Sequence, residues 1–565
     1  MLRWQPWLGG GLWSIFVLTL VPAIAGGAQR VFEGRLGRWA RDHFPAVLAA
    51  TAALAVLLLP DRVNFVGDFL LRQGSSEMLV EPGRLAPQML PLDHALHYEL
   101  PTRLHARFEI PPNATGRLLG AVSAVILGLV AASLSARLVP RPSAWRWAIA
   151  VVLTWGGWCL LWTGYMKAFV EMVWLLPLAA VLALRAPGSP RAFLALSAVV
   201  TLSLLLHRSA IGLLPVWAYL AWHLSRQRGT STGAALVGAA PVLLTVAWLA
   251  VRVAGNFGRI DQGHFPLEAL LDPLRFLDLA NALWALCPLL LCLGPALLDR
   301  GWWREPAGRT LALVALPYMG LAAVLTPTQG IYRDLDVFAM SGMAMALILA
   351  AVFGHWARRG RLAAWLALPV AVGAVALTLP KLVVQSQLET GLTRVEAWVE
   401  GPPARSDRDR ALTLEFMGAR LLHAQRYEEG AALLGRAAHL APSPRMLLEW
   451  AVASEHVQDW DAVESALSQI LERSDEPTYG QLKLVATLGL AKVAGVRGER
   501  ARLDSLAAEA RRLSPQSPLV ARMLQEAWSR LGRVEAERAG RVAARDTSRS
   551  TEATTRTPGG ETGPP

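Results

Sequence analysis

Residues 330–353, "GIYRDLDVFAMSGMAMALILAAVF", decide the fold, because they join three charges to an apolar run that water would not tolerate. Arg333, Asp334 and Asp336 stand directly before that run. Either the acids cap a helix, whose N-terminal dipole favours them, or they belong to a site at a membrane surface. The choice turns on how the chain threads the bilayer.

The surrounding sequence is that of a membrane protein. Its 565 residues are 53% hydrophobic and 17% charged, against about 25% charged in soluble domains. The net charge of +12 is almost entirely arginine, with lysine only at 167, 381, 483 and 492. So lopsided a ratio, beside abundant Ala, Gly and Pro, reflects genome composition rather than a basic surface, and nucleic acid is set aside as a partner. Cys159, Cys287 and Cys292 lie inside apolar runs, which leaves no external disulfide framework and no Cys-x-x-Cys metal pattern.

A helical span takes about 20 apolar residues. About a dozen such stretches precede residue 381, at 8–28, 44–60, 117–138, 145–163, 168–184, 192–206, 210–225, 232–251, 276–298, 310–326, 337–356 and 362–380. Arginines occupy every second connection, at 30–41, 137–146, 185–191, 226–228, 300–309 and 358–361. The positive-inside rule makes these cytoplasmic. The connections 61–116, 164–167, 207–209, 252–275 and 327–336 then face outward, as do both termini. The first span carries Arg3 before its apolar core and Ala23-Ile24-Ala25 behind it, the pattern of a cleavable signal. Cleavage would strand the arginines at 30–41 outside, so the segment is read as a retained helix. The expected fold is all-α, a polytopic bundle over 1–380 in the cytoplasmic (inner) membrane.

After a linker at 381–409 the pattern changes. From 410 to 540 apolar residues recur at helical spacing in pairs of short helices, with Tyr427 and Trp460 at matching turns and Pro442, Pro477 and Pro515 closing successive units. The period is similar to that of tetratricopeptide repeats, about 34 residues, and such a solenoid presents a groove to a protein partner. By the threading above it lies on the outer side. Residues 541–565 lack apolar content and are expected to be disordered.

The outward connections carry the chemistry. In 61–116, Asp68 lies close to the membrane exit, where partial dehydration raises carboxylate basicity. Asp93 and His97 are four apart and share a helical face, which suits a divalent metal or a proton relay. "WTGYMKAFVEMVW" puts Lys167 at an outer helix end with Glu171 one turn deeper, "LLLHRSAIGLLP" puts His207 and Arg208 at an outer turn, and Asp278 and Asn281 open the ninth span. Singly, each is explained by capping, an ion pair or snorkelling. Together they form a layer at one depth, and ionisable groups in a membrane normally face a cavity or a partner. Carboxylates beside arginine and lysine at that level suit a lipid-linked phosphate donor.

The motifs "VGDFLLR", "PLDHALHYEL", "GYMKAFVE", "LLLHRSAIGLLP" and "YRDLDVFAM" resemble those of GT-C-class membrane glycosyltransferases, the family 39 protein mannosyltransferase-like group included, and bacterial GT-C-like proteins that end in tetratricopeptide repeats. The resemblance spans residues 44–380. It implies a polyprenyl-phosphate sugar donor, an acceptor on the outer face, and a first-loop acid as catalytic base, which falls on Asp68. Asp68 is followed by Phe69 where the class often has a second acid, so Asp93 is the reserve. Arg333 and Arg208 would steady the departing phosphate, with His207, Lys167, Glu171, Asp334 and Asp336 completing the substrate site. His97 with Asp93 would bind any divalent metal the reaction uses. Two other functions fit the same residues. One is a transporter or flippase with Lys167, Glu171, His207 and Asp278 along its route; the other is an inactive anchor for a repeat platform.

Overall fold

The computed structural model describes residues 6–33, 43–63, 90–141, 143–227, 230–254, 271–325, 327, 330–480 and 482–554. All regular elements among the described residues are helical. The chain divides into two units, 1–394 and 395–565.

The first unit is a multi-pass membrane bundle. By length and composition, six helices are long and apolar enough to cross a membrane: Pro112–Leu138, Phe169–Gly188, Thr232–Arg252, Pro306–Val324, Leu335–Arg358 and Ala364–Gln385. Phe44–Leu58, Ala144–Thr154 and Pro190–Leu206 are shorter and equally apolar. Leu335–Arg358, which contains the opening stretch, is 94% buried over its apolar window. It is the central helix, and its all-round apolarity follows from being enclosed on every side.

Three expected spans depart from simple helices. The fourth stops at Thr154, bends through Gly156 and Gly157, and resumes as the single turn Cys159–Trp162. The ninth stops at Leu286, one residue short of the Cys287-Pro288 step, and resumes as Leu293–Leu298; Pro288 has no N–H to continue the ladder. The two breaks meet: the Gly157 N–H donates to the Leu286 carbonyl at 2.8 Å, and a Cβ on Gly157 would lie 2.2 Å from the Ala285 oxygen. The seventh begins as a tight 3-10 turn, Arg208–Leu213.

Connections sort to two ends of the bundle. At one end, Trp145 Nε1 donates to the Ala363 carbonyl at 3.2 Å, Arg361 pairs with Asp299 at 3.2 Å, His355 Nδ1 meets Glu305 at 2.7 Å, and Arg358 reaches Glu305 and the Leu138 carbonyl. At the other, the Asp61 N–H donates to the Thr163 carbonyl at 3.0 Å and the Arg62 N–H to the Gln385 carbonyl at 2.9 Å. There too, Arg275 reaches the Ala323 carbonyl at 2.6 Å. Three of the arginine-bearing connections, 137–146, 300–309 and 358–361, meet at the first of these ends.

The second unit stacks helix pairs: Asp407–His423 with Tyr427–Leu440, Pro444–His456 with Trp460–Glu472, and Lys483–Arg497 with Arg500–Leu513, closed by Pro518–Thr554. Tyr427 and Trp460 each open the second helix of a pair. Leu434, Leu447, Leu467 and Ile470 form one core, and Leu503, Ala507, Val520 and Leu524 another. Two boundaries move. Residues 381–385 end the last long apolar helix and Leu388–Glu400 is itself helical, so little of the expected linker is irregular. The last helix runs to Thr554, into the stretch expected to be disordered, because the Ala, Arg and Glu of 535–546 favour helix even without apolar residues to bury.

Candidate functional site

The segment 162–171 builds the end of the bundle that holds the Asp61–Thr163 and Arg62–Gln385 contacts. Gly164 adopts φ +142, turning the chain from the Cys159–Trp162 turn towards the helix Phe169–Arg185. Behind it, Gly120 lets the Pro112–Leu138 helix approach so closely that a Cβ there would sit 1.9 Å from the Trp162 carbonyl oxygen. The turn is thus fixed against a rigid helix, and two charged clusters leave it.

The first centres on Asp336, which is fully buried at the start of the central helix. Lys167 Nζ lies 3.0 Å from its Oδ2, and the Tyr165 hydroxyl donates to the same oxygen. Oδ1 has no hydrogen-bond partner among the described residues. Lys167 keeps 14% of its side chain exposed and lies near the rings of Tyr165 and Phe169. Arg333 and Asp334 are buried one turn earlier.

The second is a row of three buried groups. Asp93 Oδ1 is 2.8 Å from His97 Nδ1, and His97 Nε2 is 3.3 Å from Glu171 Oε2. Asp93 lies in the short helix Pro91–His94, which widens into a π-helical turn at Ala95–Glu99 and continues as Leu100–Phe108. The local cause is Pro101, which cannot bond the His97 carbonyl as a regular helix requires. Burial by itself would lower the His97 pKa; the Glu171 and Asp93 carboxylates outweigh it and raise the value to about 9. The ring therefore holds a proton at neutral pH.

Of the residues the sequence proposed, the structure joins Lys167 to Asp336 and Asp93 to His97 to Glu171. His207 lies against Phe169, ring centroids 4.4 Å apart and planes tilted by 51°, and its Nδ1 meets the Ser209 hydroxyl at 2.7 Å, while Arg208 beside it is exposed. Asp278 is half-buried and Asn281 exposed. Asp68 lies outside the described residues. The metal expectation at His97 gains no support: both ring nitrogens already face carboxylates, and among the described residues no group of three or more His, Cys, Asp or Glu is placed to hold a metal ion. Asp93, the reserve candidate for the base, is buried with its Oδ1 2.8 Å from His97 Nδ1. Sequence reasoning passed over Tyr165, although it stands two residues before Lys167 in the quoted motif. It also passed over Lys381, which is buried and donates to the Ala285 carbonyl at 2.6 Å, closing the broken end of Pro273–Leu286.

No family model matches the chain, and none of the curated proteins matches it. Two solved structures are similar. ArnT from Cupriavidus metallidurans bound to undecaprenyl phosphate is 12% identical with a TM-score of 0.39, over 76% of this chain and 80% of that one. The Archaeoglobus fulgidus oligosaccharyltransferase in its apo form is 14% identical with a TM-score of 0.34, over 66% of this chain and 60% of that one.

Proposed function

We propose that the chain is a membrane glycosyltransferase that moves a sugar from a polyprenyl-phosphate donor to an acceptor on the outer face of the cytoplasmic membrane. The observation that carries this reading is the Lys167–Asp336–Tyr165 cluster, in which a partly exposed cation is held at membrane depth by a fully buried carboxylate. The exposed Arg208 enters from the same end, and Arg333 adds charge from the buried side. In the reaction, Asp68 takes the proton of the acceptor hydroxyl as its oxygen bonds the anomeric carbon. The carbon–oxygen bond to phosphate breaks, and its electron pair leaves on the lipid phosphate, which Lys167, Arg208 and Arg333 stabilise. Direct attack inverts the sugar carbon. The undecaprenyl phosphate in the ArnT structure is the kind of lipid meant. The repeats would hold a protein partner in the cavity of about 720 Å³ lined by Arg410, Arg436, His439 and Trp450.

The test uses purified protein in nanodiscs with a labelled polyprenyl-phosphate sugar. Wild type should move label into an acceptor fraction, and Asp68→Asn and Lys167→Met should not. Unchanged turnover in Asp68→Asn discards the base, and no transfer by wild type discards the enzyme.

One observation favours transport as a second reading, namely the meeting of two broken helices beside a buried lysine, since transporters bind at such breaks near the midplane. The depth is wrong for it. Lys381 lies one turn, about 6 Å, below Gln385, which is tied to the outward end through the Arg62 amide. The break therefore lies near one end of the bundle rather than at its midplane.

A further inference from the structure

We propose that the cavity in the helix pairs of the second unit takes an extended peptide segment of a partner protein, one that carries a basic, an apolar and an acidic side chain at alternate positions. The inference rests on the reading that the repeats hold a protein partner, and it names the chemistry of that partner. The charges of the lining fall into two groups at opposite ends. Arg410 and Arg436 form one, since both reach Glu400, at 3.5 Å and 2.6 Å. Glu428 and Asp459 form the other. The rings of Tyr427 and His456 stack with centroids 4.3 Å apart, which sets the start of Tyr427–Leu440 beside the turn that leads to Asp459. Arg436 follows Glu428 by eight positions on one helix, about 12 Å at 1.5 Å per residue. An extended chain covers about 13 Å in four residues and turns every second side chain to one face. Residues i, i+2 and i+4 of a bound peptide therefore match the two charged ends and the floor between them, read from either direction. That floor is Trp450, against which Gly435 packs so closely that a Cβ there would lie 3.1 Å from the indole Nε1. Two polar atoms serve the peptide backbone. Ser454 lines the cavity at 1% exposure, and its Oγ has no hydrogen-bond partner among the described residues. His439 Nδ1 donates to the Gly435 carbonyl at 2.6 Å, which leaves Nε2 of the neutral ring to accept. The arginines already have acids beside them, Glu400 for both and Asp407 at 3.3 Å from Arg410. Each guanidinium carries five donors, and Glu400, 44% exposed, is the group that a partner's carboxylate joins or displaces.

The experiment titrates unlabelled peptides into the full-length chain in nanodiscs and reads binding by calorimetry, so it depends on no enzymatic activity. The probe holds Lys-Ala-Leu-Ala-Glu between Gly-Ser flanks, with both ends blocked so that side chains supply the only charges. Three comparison peptides replace Glu by Gln, replace Lys by Gln, or bring the charges together as Ala-Leu-Ala-Lys-Glu. The probe should bind about tenfold tighter than each of them, the worth of one hydrogen bond to a charged group. Arg436→Gln should weaken the probe by about the same factor and leave the peptide that lacks Glu unchanged. Glu400→Gln should tighten the probe roughly two- to fivefold, because the exposed ion pair that competes with it is worth that much. Arg436 and Glu400 are 46% and 44% exposed, so neither variant disturbs a core. Ser454→Ala should weaken the probe about fivefold without lowering the melting temperature of the free chain, since the hydroxyl has no partner to lose. Equal affinity for all four peptides, or indifference to both Arg436→Gln and Glu400→Gln, overturns the pattern and leaves the cavity as a peptide site of other chemistry. No binding of any of the four defeats the cavity as the partner's site altogether.

Discussion

Breaking the Lys167–Asp336 pair from each side in turn tests whether the candidate site is built on it. The charges lie 3.0 Å apart, and their surroundings differ: Asp336 is fully buried, whereas Lys167 keeps 14% of its side chain exposed. Lys167→Met leaves a carboxylate with no route to water. A stranded buried charge costs about 3–5 kcal/mol, and the hydrogen bond from Tyr165 returns part of that. Asp336→Asn leaves an ammonium that can swing towards the aqueous face on its flexible stem, so its cost is about 1–3 kcal/mol. The more exposed partner is therefore the costlier to remove, by about 2 kcal/mol, the difference between these two ranges. A Lys167→Met/Asp336→Asn double variant removes both charges and should be less stable than wild type by less than the sum, with a coupling of about 2–3 kcal/mol. Unfolding of the full chain in mixed micelles, followed by tryptophan fluorescence, measures all four corners. Equilibrium binding of undecaprenyl phosphate adds a functional column: Lys167→Met should weaken it, and Asp336→Asn, which releases the lysine from its carboxylate, should tighten it. Additive single effects, or an Asp336→Asn variant less stable than Lys167→Met, would refute the reasoning.

Stability should depend on alkaline pH through His97. Its folded pKa of about 9 lies above the ordinary 6.5, so its contribution is complete below about 6.5 and is lost as pH rises through 9; thermal melts of wild type should fall over that window and those of His97→Gln should stay flat. Gly120→Val places carbon where the Trp162 carbonyl stands, 1.9 Å away, and should abolish recovery of folded protein from detergent extracts, while the neighbouring Leu118→Val, an exposed position, should not. In the repeats, Arg445 makes two 2.7 Å bonds to Glu415, which is 2% exposed. Glu415→Ala should cost about 3 kcal/mol in the unfolding of the repeats, and Arg445→Ala, whose own side chain is 42% exposed, the same or more, because it strands the glutamate. Cysteine labelling in intact cells should reach position 68 and not position 228.

Much of this architecture was legible because a bilayer simplifies the code. Runs of apolar residues mark helices, and arginine marks one side. The partition of connections into two ends followed from that alone, before any contact between Asp61 and Thr163 or Arg358 and Glu305 was known. Helix interruptions were harder to read. Gly156-Gly157 and Pro288 stand in runs whose hydropathy stays high, and hydropathy has no term for a carbonyl that another strand of backbone must satisfy. Site membership was half legible. Glu171 one turn after Lys167 showed in the spacing, whereas the pairing of Lys167 with Asp336 joins residues 169 positions apart. Charge at a shared depth could place both in one layer without saying which groups touch. The π-helical turn that brings His97 to Glu171 was invisible for a similar reason: Pro101 looked like a helix stop, and it became a change of register.

The two ends of the bundle hold their carboxylates in opposite conditions: Glu305 and Asp299 keep 28% and 21% of their side chains exposed, whereas Asp336 is fully buried. At the arginine-rich end, Glu305 gives one oxygen to His355 and the other to Arg358, and Asp299 gives one to the Gly301 N–H and the other to Trp356 and Arg361. All four carboxylate oxygens are engaged, as a network that only holds helices together should be. At the other end Asp336 receives two donors on Oδ2 and none from the described residues on Oδ1, and Lys167 is partly open beside it. A buried acceptor without a donor costs about 1–3 kcal/mol, and a purely structural element gains nothing by retaining it. A donor site for a hydroxyl-rich, phosphate-bearing substrate does gain, because the acceptor oxygen and the cation are then both used when substrate binds. If Asp336→Asn melted as wild type does and bound undecaprenyl phosphate no differently, the unsatisfied oxygen would have no consequence, and the distinction between the two ends would fail with it.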